Sequence, residues 1–579
     1  MSRSSNTNWL LLAAAFAPVA GCLVVTPLDD LPSKTQSSTT GGSSHGGKGG
    51  SSNGGKGGSS NGGTGGTDTS SGGSGATGAT AGKPPVDDGP CKTNVECMDR
   101  NFDEPQRCRP SDNKCIPLAT PDCPVVYGNA ASPNAVYFGA FATLDPAAPG
   151  DNSIAWSHEL AIDELSGDLL GGLPGPNKTR RPLVMVLCNN ATNVNLGLEH
   201  LIHEVEVPAM VATLQPGDLR RAYEDYGDRD VLYFSPVTIS DALSQEDDSD
   251  HIWGLLGEPK DFAPSYAALL TLSEAYVRSG QTDEQKKQPL RVALVTTNDA
   301  FDQELTQAVT DVLTFNGKSL AANGGDFIPL TIGAKPDFVQ LADNLAAEKP
   351  DIIISTAGDA FVMTNGLEQR LEEEWEVVAI GKPRPFYILS PYNAGNLQPL
   401  LKRLSGRLMR DGNTDVQERY VGVSIASAAD NTLQNAYAIS LGGKHHGALT
   451  DTANYYDATY FLAYAMLGAN QPDGLTGTGI AQGLHRLLSG DPLNVGPKGI
   501  NTAYSALSDD SSTIKLQSTL GPPDFDRKTG VRPVDGSVFC IDREATTVTV
   551  KVKNDVLRYD NQAGKFKGDL PCISGFFQP

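Results

Sequence analysis

The chain has 579 residues, and its 45 Lys and Arg against 68 Asp and Glu give a formal net charge of −23. An acid excess of this size argues against nucleic acid or an anionic membrane surface as a partner, because both repel negative charge. No segment reaches the roughly 18 consecutive apolar residues that a membrane-spanning helix needs. The sequence therefore predicts a protein whose bulk is soluble.

Residues 1–21 have the pattern of an export signal, with a positive charge ahead of an apolar run at 9–20 that is too short to span a membrane. The run ends in Val-Ala-Gly-Cys22, which resembles the lipobox of bacterial lipoproteins. This resemblance implies cleavage before Cys22 and a lipid on its sulfur. Leu23, where many inner-membrane lipoproteins carry Asp, favours the outer membrane. The alternative is an ordinary secretory signal followed by an incidental cysteine.

Residues 22–86 are predicted to form a disordered tether. Between Ser43 and Gly66 the chain repeats an eight-residue Ser/Gly unit three times. Such a composition cannot bury enough apolar surface to order itself. A Gly-rich coil of this length has an rms reach of roughly 40 Å, so the folded part is expected to stand off the membrane.

Eight further cysteines are an even number, which in an exported chain predicts disulfides. Four of them lie within 25 residues of a Cys-rich module at 87–124. This stretch has few core-forming side chains and is expected to depend on two internal bridges. These four are Cys91, Cys97, Cys108 and Cys115. Cys540 and Cys572 form the next predicted pair. Cys123 and Cys188 either pair with each other or leave Cys188 as a free buried thiol. The lack of a CxxC pair and of a nearby His argues against zinc.

Beyond residue 130, short apolar runs alternate with amphipathic stretches. The predicted strands are Val136–Phe141, Leu183–Leu187, Ala209–Leu214, Val231–Phe234, Arg291–Thr296, Phe327–Thr331, Ile352–Ser355 and Phe386–Leu389. The predicted helices are Trp156–Leu165, Leu196–Val205, Ala267–Val277, Phe301–Phe315 and Phe338–Ala347. Unalternating apolar runs separated by helices indicate parallel sheets covered on both faces, and eight of them predict two doubly wound sheets. Ligands of such folds bind outside the carboxyl ends of the strands.

Several segments in this region resemble a known family. Ala135–Gly139 and Val231–Pro236 stand early, Arg291–Phe301 stands in the middle, and Tyr456-Asp457-Ala458 and Gly521–Asp526 stand late. In this order and spacing they are similar to the type I periplasmic binding proteins, the group that includes receptors for Leu, Ile and Val. The likeness runs through most of the chain beyond residue 130.

The resemblance implies an α/β fold at 125–579, with two Rossmann-like lobes of parallel sheet flanked by helices. The chain of such a fold crosses between the lobes several times, so each lobe is discontinuous in sequence. We expect lobe 1 at about 130–270 and 420–470. Lobe 2 is expected at about 271–419 and 471–579.

In the family's amino-acid receptors, hydroxyls and backbone N–H groups at the third and fourth strand ends hold the ligand carboxylate, and an acidic residue of lobe 2 receives its amino group. The polar side chains that correspond to this site are Gln215, Thr238, Ser240, Asp359 and Tyr392. Tyr392 stands in the place of the acidic residue, so Asp359 is the main charged contact expected. The replacement of the acidic residue by Tyr392 argues against an unmodified amino acid as the ligand, because its buried ammonium group would be left unpaired, which is costly. Asp359 and Thr238 could equally be turn and cap residues.

No nucleophile elbow, P-loop or zinc-protease motif occurs in the sequence. We therefore predict neither an enzyme nor a metal or cofactor site. The first functional hypothesis is a lipid-anchored extracytoplasmic protein that captures a small polar ligand, amino-acid-like or related, for a permease or a signalling receptor. The second is a surface interaction or structural lipoprotein with a degenerate pocket. A polar cleft favours the first hypothesis, and an apolar or filled cleft favours the second.

Overall fold

The computed structural model describes the following residues: 89–101, 104–144, 152–167, 170–393, 397–411, 417–428, 431–449, 451–469, 474–543, 549–561, 563–573 and 575–576. The predicted export signal, Cys22 and the tether lie outside these ranges. Among the described helices, none has both the length and the apolar character needed to cross a membrane.

The Cys-rich module is built around cystines. Its elements are α1 (Asn94–Arg100) and the antiparallel strands β1 (Gln106–Cys108) and β2 (Cys115–Pro117). The Thr93 hydroxyl caps α1 by accepting a hydrogen bond from the Glu96 N–H group. Disulfides join Cys91 to Cys108 and Cys97 to Cys115, and these four cysteines make up the module's small core.

The first part of lobe 1 alternates strand and helix. Its strands are β3 (Val125–Tyr127), β4 (Val136–Ala142), β5 (Leu173–Pro174), β6 (Arg180–Arg181), β7 (Leu183–Asn189), β8 (Ala209–Val211), β9 (Leu232–Ser235) and β10 (Ile252–Gly254). Its helices are α2 (Ser153–Ser166), α3 (Val194–Glu199), which a wider turn at His200–Glu204 continues, α4 (Pro216–Tyr226) and α5 (Asp241–Ser244). The sheet order is β10-β9-β8-β4-β7-β3, parallel except for β3.

The chain then enters lobe 2. Its helices are α6 (Pro259–Ser279), α7 (Ala300–Val312), α8 (Phe338–Glu348), α9 (Asp359–Val362), α10 (Leu367–Val378) and α11 (Gln398–Asp411). Its strands are β11 (Val292–Thr297), β12 (Thr314–Phe315), β13 (Lys318–Ser319), β14 (Phe327–Ile332), β15 (Ile352–Ser355), β16 (Phe386–Leu389) and β17 (Tyr420–Ile425). The parallel strands follow the order β14-β11-β15-β16-β17.

Two more crossings complete the fold. The chain returns to lobe 1 for α12 (Thr432–Lys444), α13 (Ala453–Gly468), α14 (Gly477–His485), β18 (Asp491–Asn494), α15 (Ile500–Leu507) and β19 (Ile514–Gln517). It ends in lobe 2 with the antiparallel strands β20 (Gly536–Arg543), β21 (Val550–Asp560) and β22 (Lys565–Gly568).

The predicted α/β fold is confirmed by this topology. In each lobe the five parallel strands follow the order 2-1-3-4-5 counted along that lobe, which is a doubly wound arrangement. All eight predicted strands form. Seven of them are apolar runs buried on both faces of their sheet, and β14, at the edge of its sheet, is mostly half-buried or exposed. Three segments, at 255–258, 426–431 and 533–535, join the lobes.

The expected lobe boundaries at residue 270 and after residue 419 are wrong. Phe262 and Tyr266 of α6 pack in the lobe 2 core, so the first part of lobe 1 ends before α6. Residues 420–425 form β17, which pairs with β16 and belongs to lobe 2. Most of 474–530 belongs to lobe 1, because Ile480, Leu484 and Ile500 pack in the lobe 1 core with α13. The chain therefore crosses back to lobe 2 only just before β20.

The Cys-rich module is fastened to lobe 1. The Arg107 guanidinium donates to the backbone carbonyl of Val205 and lies 4.6 Å from the ring centre of Tyr137. Arg109 donates to the carbonyl of His203 at 3.2 Å, so both arginines satisfy carbonyls at the end of the α3 segment. A disulfide also joins Cys123 to Cys188 in β7. Module and lobe are thus linked covalently and by charged hydrogen bonds.

Candidate functional site

The carboxyl ends of the parallel strands of both lobes carry the candidate site. In lobe 1 these ends follow β8 and β9, and in lobe 2 they follow β11, β15 and β16. Helix α4 of lobe 1 contacts helix α7 of lobe 2, so the lobes meet beside these ends. The arrangement matches the crevice where doubly wound folds bind ligands.

Thr238 and Tyr392 come together across the lobe boundary. The Thr238 hydroxyl donates to the Leu256 carbonyl at 3.1 Å. The Tyr392 hydroxyl approaches Thr238, but it is buried and completes no well-aligned hydrogen bond. Burial raises the pKa of Tyr392 well above its usual value, which keeps the phenol protonated. The Phe301 ring packs edge-on against Tyr392, with 4.5 Å between the ring centres.

Thr213 is a second buried hydroxyl without a hydrogen-bond partner. It follows β8 and is 8% exposed, and its Oγ1 atom lies out of solvent. The backbone around it is fixed, because Asn190 donates to the Thr213 carbonyl at 2.9 Å and accepts from the Thr143 hydroxyl at 2.9 Å. Thr213 is not among the site residues predicted from the sequence, although a hydroxyl residue at the end of a predicted strand was the available signal.

Ser240 is engaged by lobe 2. Its hydroxyl caps α5 by accepting from the N–H groups of Ala242 and Leu243, at 3.1 and 3.3 Å. The same hydroxyl donates to Glu304 Oε1 at 2.5 Å, and the Asp241 N–H group donates to Glu304 Oε2 at 3.0 Å. Glu304 lies in α7, so this carboxylate bridges the lobes. Glu304 is not predictable from the sequence, because no local pattern in a helix shows which distant element one of its side chains will contact.

Gln215 and Asp359 lie on the exposed rim. Gln215 precedes α4, and Asp359 is the first residue of α9. Asp302 lies beside Asp359 and accepts from the Thr297 hydroxyl at 2.6 Å and from the Gly358 N–H group at 3.3 Å. Burial raises the pKa of Asp302, and the neighbouring carboxylates add to the effect. The structure therefore brings Thr238, Tyr392 and the Ser240 segment to the lobe boundary and leaves the other two predicted residues at its edge.

The lobe boundary is acidic. Burial, followed by the charge of Glu258, raises the pKa of Asp241 to about 6. The pKa of Asp261 is also raised to about 6, chiefly by burial. Lys260 lies 2.5 Å from Glu258 Oε2 and 3.7 Å from Asp241 Oδ1. One lysine thus serves a group of carboxylates at the first crossing between the lobes.

Asp261 also joins two of the crossing segments. Its Oδ2 atom accepts from the N–H groups of Glu258, at 3.1 Å, and Val534, at 3.4 Å. Gly257 adopts a φ of +72°, and a Cβ atom there would lie 2.5 Å from this oxygen. A glycine is therefore required where the chain turns into α6.

Among the described residues, no cluster of potential metal ligands lies at the lobe boundary. Within the described part of the chain, the one grouping of three potential metal ligands is Cys91, Cys97 and Cys108. These sulfurs are held in disulfides. The groups at the lobe boundary are hydroxyls, carboxylates and aromatic rings, which can bind and orient a polar molecule.

No protein-family model matches the sequence, and no curated protein matches it. Similar solved structures include an ABC transporter substrate-binding protein from Desulfitobacterium hafniense in complex with Leu, at 15% identity and a TM-score of 0.44, covering 75% of this chain and 99% of that one. A solute-binding protein from R. palustris in complex with 4-hydroxybenzoate has 12% identity and a TM-score of 0.47, covering 73% of this chain and 97% of that one. A leucine-binding protein from Thermotoga maritima has 11% identity and a TM-score of 0.47, covering 72% of this chain and 98% of that one. They are of the kind that the sequence resembles, and the fold assignment itself rests on the strand order and crossings described above.

Proposed function

We propose that the protein is an extracytoplasmic solute-binding protein that captures a small polar ligand between its two lobes, for transport or for sensing. The observation that carries this proposal is the pair of buried hydroxyls without partners, Thr213 and Tyr392, at strand ends of opposite lobes. Leaving a buried polar group unsatisfied costs about 1–3 kcal/mol. A ligand that supplies the missing partners recovers this free energy when it binds.

Within this proposal, the predicted residues have three different roles. Thr238 and Tyr392, together with Thr213, form the inner contacts to the ligand. Gln215 and Asp359 contribute from the exposed rim, where Asp359 supplies a carboxylate that faces a positively charged group of the ligand. Ser240 acts through its position at the start of α5.

The second hypothesis, an interaction lipoprotein with a degenerate pocket, is favoured by one observation. Phe301 and Tyr392 pack together at the boundary and occupy part of the space between the strand ends. Native mass spectrometry of the freshly purified full chain separates the hypotheses. A co-purified small molecule supports solute capture, and its absence from protein prepared in every growth medium tested supports the degenerate pocket.

Tyr392→Phe is expected to weaken binding of the captured molecule about tenfold, because it removes one hydrogen bond and keeps the ring. Calorimetry with the molecule identified by mass spectrometry measures the effect. The matched control is Tyr464→Phe, which removes another buried, unpartnered hydroxyl from the lobe 1 core. If the two variants bound the molecule with equal affinity, Tyr392 would not be part of the binding site.

Cys22→Ser is expected to move the protein from the membrane fraction to the soluble fraction after cell breakage. The reason is that a lipidated Cys22 would be the mature N-terminus and the membrane anchor. Immunoblots of fractionated cells test this, with Ser37→Ala in the tether as the control. Unchanged membrane association of Cys22→Ser would rule out the lipid anchor.

A further inference from the structure

A single carboxylate of lobe 2 holds the start of a lobe 1 helix. Glu304 uses one oxygen to accept the Ser240 hydroxyl, at 2.5 Å, and the other to accept the Asp241 N–H group, at 3.0 Å. Ser240 in turn caps α5. The two hydrogen bonds to Glu304 form only while the lobes are together, because their donors and acceptor belong to different lobes.

We propose that Glu304 and the Ser240–Asp241 turn form a pH-sensitive latch that holds the two lobes closed. The latch belongs to the protein itself and contributes to closure independently of any ligand contact. The proposal rests on the proposed function only in one respect, that closing serves solute capture. Its physical basis is that hydrogen bonds to a charged acceptor are stronger than those between neutral groups.

The surroundings of the latch make it respond to pH. The Asp241 carboxylate faces Glu304 from α7, Glu258 from the first crossing segment, and Lys260 and Asp261 from α6. Its Oδ1 atom is buried and makes no hydrogen bond, and the Lys260 ammonium lies 3.7 Å away. When Asp241 is ionised, it therefore adds a second negative charge beside the Glu304 carboxylate.

The direction of the pH response follows from the pKa of Asp241, which is raised from an ordinary value of 3.8 to about 6. Opening the lobes admits water to Asp241, which reverses the main cause of the shift, and also removes Glu304, so the pKa of Asp241 falls towards its ordinary value. The closed form then binds a proton more tightly than the open form. Closure is favoured at low pH, weakens as the pH rises from about 4 to 6, and stays at its weaker level above that range.

The test measures the distance between the lobes in the full chain without added ligand. Probes are attached through a non-canonical azide residue, so that the cysteines stay paired, at Asp228 in lobe 1 and at Val377 in lobe 2. Both side chains are largely exposed. Pulsed EPR distance distributions at pH 5.5 and pH 8 then give the open-to-closed ratio.

Glu304→Ala is expected to raise the open-to-closed ratio at pH 5.5 by roughly 10-fold or more, the effect of losing a hydrogen bond to a charged group. Glu304→Gln, which keeps an acceptor oxygen, should fall between Glu304→Ala and the wild type. The wild-type ratio should rise several-fold from pH 5.5 to pH 8. Asp241→Asn should stay closed at both values, because it keeps the backbone donor and cannot ionise.

The matched control is Asp311→Asn on the same helix. Asp311 is exposed, and its carboxylate accepts from Gln307 within α7. A Glu304→Ala distribution identical to that of Asp311→Asn would overturn the latch, and a pH response that survives Asp241→Asn would overturn its pH sensitivity. Because no ligand enters the measurement, failure of the latch leaves the mass-spectrometric test of solute capture unaffected, and the reverse also holds.

Discussion

Glu372→Ala is expected to lower the free energy of unfolding by about 3–5 kcal/mol, since it removes the buried carboxylate that three half-buried arginines share. Glu372 lies in α10 and is 1% exposed. Its carboxylate accepts from Arg384 at 3.0 Å, from Arg419 through two nitrogens at 2.9 Å each, and from Arg407. The Tyr387 hydroxyl donates to it at 2.6 Å. Burial alone would raise the pKa of Glu372, but the arginines outweigh it and hold the pKa well below its usual range.

The matched control is Glu376→Ala, one turn further along α10. Glu376 pairs with Arg384 at 2.7 Å, but its side chain is 78% exposed, so its removal is expected to cost less than about 1 kcal/mol. Urea denaturation at pH 7 compares the two variants. If Glu372→Ala were no less stable than Glu376→Ala, the arginine cluster would not depend on its central carboxylate. Because the pKa is lowered in the folded state, the stabilisation is complete above pH 4.5 and is lost as the pH falls further.

Removal of the Cys123–Cys188 disulfide, as Cys123→Ala with Cys188→Ala, is expected to cost about 4 kcal/mol. The bridge spans 65 residues of sequence, and the loop-entropy model gives this value for a loop of that length. The bridge also attaches the C-terminal end of the Cys-rich module to strand β7. Denaturation of the double variant measures the loss of stability, and hydrogen exchange locates it.

The control for this prediction is Cys91→Ala with Cys108→Ala. That bridge spans 17 residues within the module, so the loss of protection should be confined to the module. In contrast, the Cys123 and Cys188 variant should also lose protection in β7 and in α3. A double variant that melts like the wild type would show that the arginine contacts alone hold the module in place.

The strands were predictable because burial on both faces leaves a continuous apolar run, as in Leu183–Leu187 and Ile352–Ser355. The lobe assignment near the C-terminus was not, since α14 and α15 are amphipathic helices whose patterns do not say which lobe they cover. The positions of Thr238 and Tyr392 followed from the rule that strand ends converge. Glu304 could not be predicted, because its role depends on two lobes meeting rather than on its neighbours in sequence.

The attachment of the Cys-rich module to lobe 1 sets the frame of reference for any closing motion. The chain preceding residue 89 enters the described fold through this module, and Arg107, Arg109 and the Cys123–Cys188 bridge join the module to lobe 1. Lobe 2 has no such connection among the described residues, and three short segments link it to lobe 1. In the closure proposed above, lobe 1 therefore stays in place relative to the module, and lobe 2 is the part that moves. A partner bound to the module or to lobe 1 would sense the closed form as a displacement of lobe 2.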